Sequence, residues 1–145
     1  MTLQNWLKSR YLIEHTASRQ EISDLRQGAA QDLEDSRVSG LSAGGRFNFA
    51  YNAALKTATA ALAASGYRAS RDQHHFRVIQ SLRFTVGLDS SLIELLERCR
   101  KKRNISIYER PGTISDQEAD EMTQLALKIQ ATTDKWLKER FPDLS

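Results

Sequence analysis

Cysteine is nearly absent from the sequence. Cys99 stands alone, so no disulfide can form within the chain, which fits a reducing, cytoplasmic compartment. One thiol and three scattered histidines also argue against a structural zinc centre. Only two prolines occur, Pro111 and Pro142, and both stand where helices would stop. No apolar run approaches the roughly 20 residues a membrane span needs, and Met1 to Glu14 lacks the apolar core and cleavage site of a secretory signal. A membrane partner is therefore not expected. Glycine-rich phosphate loops are missing too, because Gly44-Gly45 lacks the Lys-Ser/Thr ending, and there is no His-Glu-x-x-His pattern. These absences imply no cofactor and no metal.

The 145 residues suit one domain, and a 40% hydrophobic share is enough to bury a core. A net charge of +3 is mildly basic. That permits nucleic-acid contact but is small for a DNA reader, and no helix-turn-helix spacing stands out.

Helical periodicity runs through nearly every segment, and no stretch of four or more residues alternates like a strand. The first helix is expected from Thr2 to His15, with Leu3, Trp6, Leu7 and Tyr11 on one stripe. The second starts at the capping box Ser18-Arg19-Gln20-Glu21. Val38 to Gly45 reads as the longest loop. The third runs from Arg46 to Ser65 and stops at Gly66, a residue free to take a left-handed cap. The fourth is expected from a box at Ser70-Arg71-Asp72-Gln73 to near Gly87, and the fifth from Asp89 or Ser90 to Ile107. A third box, Ser115-Asp116-Gln117-Glu118, opens the sixth, which continues to Arg140. Short connections between amphipathic helices imply antiparallel neighbours. The expected fold is all-α, an up-and-down helical bundle of about six helices. Residues 1–44 would form an N-terminal helical hairpin and loop, and residues 45–140 a four-helix unit.

The segment Glu97-Arg98-Cys99-Arg100-Lys101-Lys102-Arg103-Asn104 is the most unusual. A basic run near a helix C-terminus favours the macrodipole and commonly forms a solvated face. The phase says more. Leu92, Leu96 and Cys99 mark one face, and four residues on from Cys99 stands Arg103, followed four later by Ile107. An inward guanidinium needs a partner: a carboxylate of a neighbouring helix, a carbonyl or a bound anion. Its planar fork suits phosphate oxygens, and Arg98, Lys101 and Lys102 flank it. Cys99, on the apolar stripe, reads as a small buried hydrophobe. The acidic start of the sixth helix is explained by its dipole. Trp6, Trp136 and Phe141 fit core packing as well as an interface.

The run Arg103-Asn104-Ile105-Ser106-Ile107-Tyr108 resembles the motif of the HEPN superfamily: an Arg, usually a polar residue next, and a His a few positions on. Ala50-Tyr51-Asn52-Ala53-Ala54-Leu55, Gly66-Tyr67-Arg68 and His74-His75-Phe76 resemble its preceding helices, in order. The resemblance covers roughly residues 46–137. It implies a helical bundle that often dimerises and, in many members, a metal-independent ribonuclease of toxin–antitoxin, defence or RNA-processing systems. Other members bind nucleotides or partners without catalysis. It implies RNA or a nucleotide as ligand, and a second copy, a cognate antitoxin or a nucleotidyltransferase-type protein as partner.

On that resemblance Arg103 would hold a phosphate, Asn104 would orient it and Tyr108 stands at the His position. A phenol titrates near 10 and is a poor base at neutral pH, whereas imidazole titrates near 6.5. Tyr108 can still position a phosphate or donate a hydrogen bond. His74 or His75, from the neighbouring helix, could supply the missing imidazole, although a His near a helix N-terminus is more often a surface or packing residue. The alternative is a non-catalytic helical dimerisation or protein-interaction module.

Overall fold

The computed structural model describes residues 2–108 and 112–145, with the side chains of Ile107 and Tyr108 outside that description. The described residues form six helices and one two-stranded sheet, an all-α bundle. The helices are α1 (Leu3–Lys8), α2 (Arg19–Asp35), α3 (Ala43–Ala64), α4 (His74–Ser81), α5 (Ser90–Tyr108) and α6 (Asp116–Arg140). The strands are β1 (Leu12–Glu14) and β2 (Tyr67–Ala69). No described helix is long and apolar enough to cross a membrane.

The central element is α3, which packs against α2, α4, α5 and α6. Its alanines explain how. Ala50, Ala53, Ala54, Ala58, Ala60, Ala61, Ala63 and Ala64 are all buried. Side chains this short let neighbouring helices approach on several faces at once, while leaving helix propensity high. Larger groups from the surrounding elements fill the remaining space: Trp6, Leu33, Ile79, Leu82, Ile93, Leu96, Met122 and Ile129. A smaller cluster of Ile22, Ala63, Ala64 and Leu137 closes the other end, with Trp136 edge-on to Phe141 at 5.3 Å.

Serine caps set three helix starts. The amide of Glu21 donates to Ser18 Oγ at 3.1 Å, that of Gly45 to Ser42 Oγ at 3.0 Å and that of Glu118 to Ser115 Oγ at 3.1 Å. Each satisfies an amide that has no partner within the helix. At Ser115 the box is reciprocal, since its own amide donates to Glu118 Oε1 at 3.0 Å. At α2 the Glu21 carboxylate instead meets His15 Nε2 at 2.8 Å.

Three expected segments have other limits in the structure. The first helix does not reach His15. It ends at Lys8, Arg10 takes φ +64°, and residues 12–14 become β1. β1 pairs antiparallel with β2 in the register Leu12↔Ala69, Ile13↔Arg68 and Glu14↔Tyr67. Leu12 is thereby buried, and the backbone bonds lost from the helix are regained from a segment more than fifty residues away.

The fourth helix does not start from a Ser70 cap. The amide of Ser70 donates to Tyr11 O at 2.9 Å, which extends the strand ladder and keeps Ser70 out of a capping geometry. Gln73, at φ +52° and without a side-chain cap bond, precedes His74 instead. The helix stops at Ser81, and turns carry the chain through Phe84 to Gly87 at φ +69°. Phe84 still reaches the core, edge-on to Trp6 at 5.3 Å.

The loop expected from Val38 to Gly45 is shorter, because α3 begins at Ala43. A Cβ on Gly45 would lie 2.8 Å from Leu41 Cδ1, so a larger residue there would require the leucine side chain to move.

Candidate functional site

α5 lies along α3 and beside α4, and the site forms where the three meet. Arg103 is half-buried and turned toward α3. Its Nε donates to Asn48 Oδ1 at 3.1 Å, and its guanidinium carbon lies 5.1 Å from the Tyr51 ring centroid. The inward phase read along α5 therefore corresponds to an inward-turned side chain whose observed partners are a neutral amide and an aromatic face. A cleft of about 160 Å³ opens beside it, lined by Asn48, Ser106, Phe47 and Ile114 among others.

Tyr51 is fully buried. Burial pushes its hydroxyl up to about 12, against the opposing pull of Arg103 and Arg100, so it stays protonated at neutral pH. Its oxygen lies 3.4 Å from His75 Nδ1, a contact that accommodates either imidazole tautomer. Burial holds the His75 pKa below its ordinary 6.5, and Arg103, His74 and Arg100 add to that by disfavouring a further positive charge. His75 is therefore neutral at pH 7. Arg103, Tyr51 and His75 come from α5, α3 and α4 and form one connected group.

A groove of about 610 Å³ adjoins that group, lined by Gln73, His74, His75 and Phe76 at the start of α4 and by Glu97, Arg100 and Lys101 of α5. Arg100 is held by Glu97 through Nε contacts of 3.0 and 3.1 Å. The guanidinium carbons of Arg77 and Arg100 lie 5.2 and 6.0 Å from the Phe76 ring centroid. Lys101 is exposed. His74 Nδ1 lies 3.1 Å from the Ser70 carbonyl, which fixes its ring at the edge of the groove.

The basic run of α5 divides among three settings. Lys101 stands with His74 and His75, and Arg103 with Asn48 and Tyr51. Arg98 and Lys102 turn toward the start of α6, where a second pocket of about 230 Å³ also contains Phe47, Leu95, Cys99, Glu118 and Glu121. Lys102 Nζ lies 3.5 Å from Glu118. Half-buried Cys99 is pushed up to about 11 by burial and stays a thiol. Asn104 is half-buried. The Tyr108 side chain lies outside the described residues.

The acidic start of α6 has identified occupants. Arg46 Nη1 meets Asp120 at 2.7 Å and its Nη2 meets Asp116 at 3.0 Å, which pins the start of α3 to the start of α6.

Reading the sequence missed Tyr51, Asn48 and Arg100 as site residues. In the sequence Tyr51 lies in an alanine-rich helix, and a buried tyrosine differs from a phenylalanine only in needing a partner for its hydroxyl. That requirement was the available signal. No family model matches the chain, and neither curated proteins nor solved structures give a match.

Proposed function

We propose that this chain is a HEPN-like helical protein that binds RNA or nucleotides through their phosphates at the junction of α3, α4 and α5. The observation that carries the reading is Arg103, turned into the bundle against Asn48 and Tyr51. Arg100, Lys101, His74 and His75 line the adjoining groove. A guanidinium and an ammonium beside Phe76 offer both halves of single-strand recognition, charge for the backbone and a ring face for a base. In this reading Asn48 orients the Arg103 fork, and Arg100 and Lys101 meet the phosphates that follow. The resemblance adds the setting: a homodimer in a toxin–antitoxin or stress system of the cytoplasm, with an antitoxin or nucleotidyltransferase-type partner.

Fluorescence anisotropy with a labelled single-stranded RNA, titrated at several salt concentrations, tests it. The logarithm of the affinity should fall linearly with log salt, with a slope of about 0.7 per phosphate neutralised. Arg103→Ala and the double variant Arg100→Ala/Lys101→Ala should each weaken binding by about tenfold or more, on the scale of a lost charge-assisted contact. Absence of salt-sensitive binding by the folded wild type would reject the reading.

A second reading, a helical interaction module, is favoured by a different observation. Leu92, Leu95 and Leu125 floor an open apolar groove of about 390 Å³ between α5 and α6. Light scattering on the eluted protein distinguishes a self-associating chain from a strict monomer.

A further inference from the structure

We infer that a bound RNA strand leaves the groove past Phe76, crosses Arg77 and runs onto the β1–β2 ribbon, where Arg10, Arg68 and Arg71 take its further phosphates. The inference rests on the RNA-binding reading above and adds a second contact surface to it. That surface is built by the N-terminal segment with β2 and α4, outside the junction of α3, α4 and α5.

Arg77 is the link. Its guanidinium carbon lies 3.5 Å from the Tyr11 ring centroid, 5.3 Å from that of Trp6 and 5.2 Å from that of Phe76. Trp6 belongs to the main core cluster and Tyr11 packs against it, so the fold fixes this aromatic cage. A guanidinium that lies over a ring still has its N–H edges, and those edges are what meet phosphate oxygens. Phe76 also lines the groove, where Arg100 lies 6.0 Å from its centroid. Arg77 therefore stands just beyond the aromatic wall of the groove.

The ribbon carries the rest. Arg68 pairs in register with Ile13. The Ser70 amide, donating to the Tyr11 carbonyl at 2.9 Å, continues the ladder and sets Arg71 beside Arg10. All three arginines are exposed. His74 Nδ1, 3.1 Å from the Ser70 carbonyl, ties this end of the ribbon to the rim of the groove.

Other basic side chains of the fold hold carboxylates: Arg26 meets Asp134, Arg46 meets Asp120 and Lys56 meets Asp32. Among the described residues, none of Arg10, Arg68, Arg71 and Arg77 forms such a pair. Glu14 and Asp72, the carboxylates of the same segments, are exposed and pair with none of them. Like charges on neighbouring strands repel, so the patch gathers positive charge that the chain does not neutralise. A phosphate backbone neutralises it and releases its own condensed cations. Continuity with the groove and the rings of Phe76 and Tyr11 favour a nucleic-acid strand over an acidic peptide.

The experiment uses the full chain and two labelled single-stranded RNAs of mixed sequence, about 4 and about 16 nucleotides long, the span of common single-strand sites. Anisotropy is measured against salt for the wild type, Arg77→Gln, the double variant Arg68→Gln/Arg71→Gln, and a control, Lys135→Gln/Lys138→Gln, which removes two exposed charges of α6. Thermal melts check that each is folded. The wild type should show a steeper salt slope for the longer RNA, by about 0.7 for each added phosphate contact. The double variant should lose that increment and about three- to tenfold in affinity for the longer RNA, the scale of exposed charge pairs. Its affinity for the short RNA should stay at the wild-type value, and the control should match the wild type with both. Arg77→Gln should also weaken the longer RNA selectively. A poly-glutamate peptide of the same charge as the longer RNA should bind more weakly than that RNA.

Equal salt slopes for the two lengths, a double variant or an Arg77→Gln protein indistinguishable from the wild type, or a control that loses as much, would overturn the inference and leave the groove reading standing. Poly-glutamate binding as tight as the longer RNA would give the ribbon to an acidic protein segment and overturn it too. A folded wild type that binds neither RNA removes both readings.

Discussion

Replacing Tyr51 by alanine or by phenylalanine separates what its ring does from what its hydroxyl does. The ring is fully buried within the main core cluster and carries the Arg103 guanidinium at 5.1 Å. Truncating such an aromatic to alanine loses its burial and leaves a cavity, about 3–5 kcal/mol together. A chain of 145 residues melts with an entropy equivalent to about 0.3 kcal/mol per degree. Tyr51→Ala should therefore lower Tm by about 10–16 °C. Tyr51→Phe keeps the ring and its contact with Arg103 and loses one hydrogen bond. At 3.4 Å that bond is long, so its contribution sits at the lower end of the usual range, about 0.5 kcal/mol, and Tm should move by about 2 °C. Calorimetry on the two variants and the wild type measures both numbers. Equal losses for the two variants would show that the hydroxyl, not the ring, carries the stability. A loss below about 5 °C for the alanine variant would show that the ring is not the packed hub of this junction.

Stability should also depend on pH through His75. Its folded pKa lies below 6.5, chiefly because of burial. As the pH falls below 6.5 the unfolded chain takes this proton first, so stability declines toward the lower folded value and is fully present above 6.5. Urea titrations from pH 4.5 to 8 on the wild type and His75→Gln isolate the effect as a difference. Parallel curves would contradict it. Gly66 sits at φ +97°, joining α3 to β2, and its carbonyl accepts from the His15 amide at 2.9 Å. Gly66→Ala should cost about 1–2 kcal/mol from the left-handed backbone alone, read as a lower Tm, and an unchanged Tm would show that the turn relaxes.

What can be read along the chain is local, and so are the successes. The Ser18, Ser115 and Gly66 signals work because a cap bond or a left-handed turn involves only a few neighbouring residues. The expected Ser70 cap fails because the backbone there is engaged by Tyr11, far away in sequence. Residues 12–14 and 67–69 are each too short to show a two-residue period, so their pairing is not visible in either segment. The site divides the same way. The four-residue step from Cys99 to Arg103 was enough to turn Arg103 inward. Nothing along the chain could assign Asn48 and Tyr51 to it, because those contacts span two helices.

The sequence by itself determined the helical class, most helix limits and the inward phase of α5, because periodicity, caps and charge act over one or two turns. Only the tertiary structure decided that Tyr51 joins Arg103 to His75, and that Lys101 lines the groove beside α4 while Lys102 meets Glu118 of α6. The packing of α4 and α5 on the alanine-rich α3 sets those distances, and no single helix contains the information.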